Sequence, residues 1–138
     1  MKTTPRTEAE AVKASRRTLL PVGMADGEIR EASDQPSKRG KEMITLVVIV
    51  RDADGIEREL RDFLTDAPVC AVRLRHVSEA VAALDKYENG SIGAEDFPGH
   101  AVRVKIGIEK KKGFPDRNVI ADYAPPAAAR VVNLTRAG

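Results

Sequence analysis

Lys110, Lys111 and Lys112 stand in a row, and Phe114 and Arg117 follow within five positions. Ammonium and guanidinium groups at that density neutralise phosphates and release condensed counterions. A phenyl ring beside them offers an unpaired base a surface to stack on. A second basic cluster, Lys38, Arg39 and Lys41, lies in the turn-rich stretch SDQPSKRGK. Arg103 and Lys105 alternate with Val102, Val104 and Ile106, so they face away from the apolar side of a strand. Tyr123 supplies one more candidate ring. Together these residues form the expected nucleic-acid-binding set, built on the basic loops 36–41 and 110–117. The plainer alternative is that such lysines are solvated turn residues that keep sheet edges soluble.

Other chemistry is poorly supplied. Asp85 to Asp96 (DKYENGSIGAED) imitates a calcium loop. Its third position is Tyr87, its twelfth is the short Asp96, and Pro98-Gly99 blocks an exiting helix, so calcium binding is not expected. His76 and His100 have no Cys or His at ligand spacing. Cys70 reads as a small buried residue. Asp52, Asp54, Glu57 and Glu59 suit a solvated turn and an exposed strand face better than a catalytic carboxylate pair. The sequence has no P-loop, G-x-G-x-x-G, H-E-x-x-H or G-x-S-x-G motif. Neither an enzyme, nor a cofactor, nor a metal site is expected.

The 138 residues suit one domain, with 32% charged and 42% apolar residues, a globular composition. A single cysteine excludes an internal disulfide framework and suits a reducing compartment. The longest apolar run, Met43 to Val50, is far short of the ~20 residues of a membrane helix. The first residues carry no apolar signal-like stretch, so a cytoplasmic location is expected. A net charge of only +2 means that nucleic-acid binding must rest on local patches.

The elements that must position these patches are legible from periodicity. Residues 1–18 read as a flexible basic arm whose helix formers lack an apolar stripe. A first strand, broken by Gly23 and Gly27, is predicted over 22–32. MITLVVIV (43–50) is apolar on both faces and predicts a central strand. Asp54-Gly55 predicts a hairpin, with Ile56 to Leu64 returning antiparallel. Leu74, Val77, Val81 and Leu84 share one helical face and predict a single helix over 71–87. Val102 to Ile108 is a half-buried strand, Lys110 to Asp116 a loop and Val119 to Tyr123 a last strand. A tail over 125–138 is expected to be mobile.

Three strands, a helix and two strands is the order of the OB-fold, a small five-stranded Greek-key barrel. The predicted fold is therefore mainly β: a barrel over 19–124 with one helix between strands three and four and flexible arms at both ends. In that fold the first-to-second and fourth-to-fifth loops, with the face of strands two and three, bind oligonucleotides or sugars. Those loops are the two basic ones here.

Several stretches carry a resemblance. They are Leu20-Pro21-x-Gly23, Gly27-x-Ile29 and Ser37-Lys38-x-Gly40-x-Glu42-Met43-Ile44. Further on come Arg73-Leu74-Arg75-His76, Leu84-Asp85-Lys86-Tyr87, Val102-Arg103-Val104-Lys105 and Phe114-Pro115-Asp116-Arg117-Asn118-Val119. Over about 19–125 the chain resembles a family of small phage-encoded proteins, formerly described as a domain of unknown function. The resemblance implies an OB-fold protein that binds single-stranded DNA in phage or prophage replication and recombination, in the cytoplasm of a bacterial host. The phage replication or recombination proteins and a second copy of the chain would be further partners. Ala25 stands where an aromatic is expected, and the tail lacks the acidic tip typical of bacterial single-strand-binding proteins. The alternative is a structural or protein-interaction component of a phage assembly that binds no nucleic acid.

Overall fold

The structure is a computed structural model that describes residues 1–15, 19–36, 40 and 42–126. Its elements run α1 (Glu8–Ser15), β1 (Gly23–Pro36), β2 (Glu42–Arg51), β3 (Glu57–Thr65), α2 (Pro68–Ala80), α3 (Leu84–Glu88), a 3-10 turn (Ala94–Asp96), β4 (Ala101–Glu109) and β5 (Arg117–Ala124). The five strands form one antiparallel sheet in the order β3-β2-β1-β4-β5. No backbone ladder joins β3 to β5 among the described residues, so the sheet is open.

β1 is shared between two half-sheets. It pairs with β4 over Gly23 to Glu28 and with β2 over Gly27 to Pro36. Only Gly27 and Glu28 ladder to both neighbours. A Cβ on Gly27 would lie 3.1 Å from a Val50 methyl and 3.2 Å from the Ile49 carbonyl oxygen. Glycine suits the position because a side chain there would be tighter than ordinary contact and β2 would have to give by a few tenths of an ångström. A register shift between Ile29 and Glu31 then bends the strand.

The strand expected over 22–32 extends to Pro36, because Ser33, Asp34 and Gln35 pair with Thr45, Ile44 and Met43. β2 is an interior strand, and β3 returns antiparallel after the turn at Gly55, as the Asp54-Gly55 hairpin predicts.

The single predicted helix is two helices. Ala82 at φ +59 ends α2, with Ala83 N–H donating to Ser78 O (2.8 Å) and Ala82 N–H to Glu79 O (3.0 Å). This pair of bonds is a Schellman motif with alanine in the left-handed position usually held by glycine. Leu74, Val77 and Val81 are buried as predicted, whereas Leu84, beyond the break, is only half-buried.

The core gathers Ile29, Leu46, Val48, Val50, Leu64, Val102 and Val104 from the sheet, Leu74 and Val77 from α2, and Phe97 after the 3-10 turn. At the amino end, Thr7 and Glu10 cap α1 reciprocally. Glu10 N–H donates to Thr7 Oγ1 (3.2 Å) and Thr7 N–H to Glu10 Oε1 (3.3 Å). Residues 8–11 of that helix are exposed. The end of the arm (16–18) and most of the tail (127–138) lie outside the described residues.

Candidate nucleic-acid interface

β4 and β5 are joined by the 110–117 loop, which turns at Gly113 (φ +83) and is braced by Phe114 N–H donating to Lys111 O at 3.0 Å. Proline follows Phe114, and the ring is left 64% exposed at the loop surface. Lys111 Nζ sits 5.0 Å from the centre of that ring, a cation–π contact that leaves the charge facing solvent. Lys110, Lys111 and Lys112 have no ion-pair partner among the described residues. Arg117 faces Glu109 in the β4–β5 register and donates Nε–H to its Oε1 at 2.9 Å. A hollow of about 270 Å³ is lined by Glu109, Lys111, Phe114, Pro115 and Arg117.

This hollow adjoins a groove of about 490 Å³ between β3 and β5, with Glu109 and Arg117 lining both. β3 contributes Glu59, Arg61 and Phe63, α2 contributes Arg73, and β5 contributes Asn118 and Val119. Strand alternation explains which residues of β3 reach the surface: Arg58, Leu60, Asp62 and Leu64 point inward, while Glu59, Arg61 and Phe63 point outward. Phe63 is 50% exposed and lines this groove, while Phe114 lines the adjoining hollow. Phe63 and Arg61 were not among the expected site residues. Their signal was an aromatic on the polar side of an alternating strand, a position where burial supplies no reason for a ring.

The groove rests on a fixed polar floor. Tyr123 Oη donates to Asp62 Oδ2 (2.8 Å), and Arg73 donates Nε–H to the same oxygen (3.0 Å) and Nη2–H to Asp62 Oδ1 (3.2 Å). Asn118 Oδ1 accepts from Leu20 N–H (2.7 Å) and Asn118 Nδ2 donates to Leu20 O (3.0 Å), which ties the start of the domain to β5. Burial, followed by the charge of Asp62, pushes the Tyr123 phenol well above its ordinary 10.0. Tyr123 is therefore corrected as a stacking residue. It is 3% exposed and opposite Val104 on the inner face. The β4–β5 register shift at Lys105/Ile106 sends Ile120 and Tyr123 to the same side.

Arg103 and Lys105 do not line this groove. They lie on the outer face of β4, where Arg103 faces Asp26 and Lys105 faces Asp122 across the ladders. Lys38, Arg39 and Lys41 lie outside the described residues. The described flank of their loop is acidic: Asp34, Glu42 and Glu95 line a cleft of about 520 Å³ with Gly40 and Gly90.

Side chains weighed for other chemistry have structural partners. Asp96 accepts from Lys86 Nζ (2.6 Å) and from Gly93 N–H (2.9 Å). These two donors hold its carboxyl below the ordinary 3.8. Asp52 Oδ1 accepts the Asp54 and Ile56 N–H groups of the hairpin turn. Cys70 is buried, and His76 Nδ1 lies 2.7 Å from Asp122 Oδ1. Among the described residues no cluster of His, Cys, Asp and Glu is placed to hold a metal ion, and no helix is long and apolar enough to cross a membrane. No protein-family model and no curated protein matches this chain.

Proposed function

We propose that the protein binds single-stranded DNA, without catalysis, along the groove between β3 and β5 and the adjoining 110–117 loop. The observation that carries this is a pair of exposed rings, Phe63 lining the groove and Phe114 lining the hollow that shares Glu109 and Arg117 with it. Lys111 lies beside Phe114, in a loop whose three lysines have no ion-pair partner among the described residues. Rings stack on bases only where the bases are unpaired, and loop lysines contact phosphates without regard to sequence. A duplex presents its phosphates but hides its base faces, so the groove favours single strands.

We read the curled sheet as an OB-like Greek-key barrel. The strand order β3-β2-β1-β4-β5, the bent β1 shared by both halves and the helices placed in the chain between β3 and β4 support that reading. The role in phage or prophage replication and recombination, inside the bacterial host, rests on the sequence resemblance. Modest affinity is expected for one copy, because two rings give few stacking contacts, and a second copy would raise it by multivalency.

One observation favours the alternative of a protein-docking surface. Val69 (82% exposed) and Val72 (62%) stand on α2, whose Arg73 bonds the backbone carbonyl of Phe63. The deciding experiment is fluorescence anisotropy with single- and double-stranded oligonucleotides of equal length at low salt and at ~150 mM salt. Preference for the single strand at both supports DNA binding, and its absence leaves the docking surface.

A further inference from the structure

Three guanidinium groups line the β3–β5 groove, and each is held by a carboxylate that lines it too. The Arg73–Asp62 pair is largely buried and is locked by the Tyr123 hydroxyl. The other two pairs are open to solvent. Arg61 Nε lies 3.1 Å from Glu59 Oε2, with side chains 58% and 51% exposed. Arg117 Nε lies 2.9 Å from Glu109 Oε1, with side chains 68% and 43% exposed.

A carboxylate oxygen offers a guanidinium the same anionic acceptor as a phosphate oxygen. An exposed pair of this kind is weak enough to exchange one anion for another. A displaced carboxylate stays tethered beside the incoming phosphate and repels it. Taking the groove as the single-strand site proposed above, we infer that Glu59 and Glu109 act as resident phosphate surrogates. They hold Arg61 and Arg117 in place along the groove and compete with nucleic acid for them, which sets its affinity low. Lys110, Lys111 and Lys112 have no carboxylate competitor among the described residues and make the first contact.

The test measures binding of a fluorescent oligo-dT by the full chain over a salt series. It compares the wild type with Glu59→Gln, Glu109→Gln, Arg117→Ala, the double variant Glu109→Gln/Arg117→Ala, and Asp116→Asn. Asp116 is an exposed carboxylate of the same loop and controls for net charge. Each Glu→Gln change is expected to tighten binding about three- to fivefold at low salt, the range an exposed pair allows. It should also steepen the salt slope by about 0.7, one phosphate on a single strand. The Glu109→Gln gain should vanish when Arg117 is absent, and Asp116→Asn should gain less. A Glu109→Gln gain that persists in the Arg117→Ala background, or is matched by Asp116→Asn, overturns competition in favour of a general field effect. If wild type binds and neither Gln variant binds more tightly, the surrogate role fails while the site stands. If no variant binds, both fail. Thermal melts of each variant confirm that the compared proteins are folded.

Discussion

The Tyr123 hydroxyl donates to Asp62 Oδ2 at 2.8 Å, joining the two edge strands of the sheet where no backbone ladder does. The width of the groove is therefore set by side chains. Tyr123→Phe removes one bond to a buried carboxylate that keeps its two bonds from Arg73. A loss of about 1–2 kcal/mol in urea unfolding is expected.

The same phenol gives the fold an alkaline limit. Below pH 10 the ring is neutral in both folded and unfolded chains. Above it the unfolded phenol ionises, while the buried one, whose pKa is raised by burial and by Asp62, stays protonated. Stability should fall as pH rises from 10 towards the higher folded value. Tyr123→Phe should flatten that part of a stability–pH profile, and equal slopes in both proteins would contradict the assignment.

Charge and stacking separate by salt dependence. Replacing Lys110, Lys111 and Lys112 with Ala should weaken single-strand binding for all sequences and lower the salt slope by about one to two units. Phe114→Ala and Phe63→Ala should each weaken binding by about 1–3 kcal/mol with the slope unchanged. Both rings are at least half exposed, so neither change should alter unfolding midpoints much. Anisotropy titrations and thermal melts on the same samples check both points.

Asp96 couples the loop after α3 to acid stability. Its carboxyl is held low by the Lys86 ammonium and the Gly93 N–H, so its contribution is present above the unfolded carboxyl value and is lost as pH falls through the depressed folded one. Asp96→Asn should lower the melting temperature at neutral pH and remove this acid sensitivity. With that carboxylate engaged, calorimetry with calcium should give no stoichiometric binding.

Ala82 holds a left-handed conformation that an L side chain disfavours. Ala82→Gly should stabilise the fold by about 1 kcal/mol in chemical denaturation, since the position is exposed and the Schellman bonds are retained.

The sheet was largely legible because MITLVVIV and the Val102–Ile108 alternation state their burial directly. β1 beyond Ala32 was not. Ser33 to Pro36 has little strand preference of its own and is extended by its ladder to β2. The helix break was hidden because alanine occupies a position where glycine would have announced it. Phe97, wholly buried, lies in a polar loop without periodicity. In the candidate site, the lysine row and Phe114 were visible as a local cluster. Phe63 and Arg61 become neighbours of Arg117 only through the curl of the sheet, a long-range relationship that spacing does not encode. Tyr123 was misplaced because a bulge shifts the alternation that strand reasoning assumes.

The double duty of β1 has a kinetic consequence. The β1–β2 and β2–β3 pairings and the β4–β5 hairpin join neighbours in the chain and can form early. The β1–β4 ladder, which brings residue 23 to residue 106, must close a loop containing two strands and both middle helices. That closure carries the largest entropy loss of any pairing in the sheet, so it should be the slow event of folding. Gly27, lying on both ladders, stands at the junction between the early half and the late one. In stopped-flow refolding, changes in β2 that weaken the meander should act on a different phase from changes in β4 that weaken the seam.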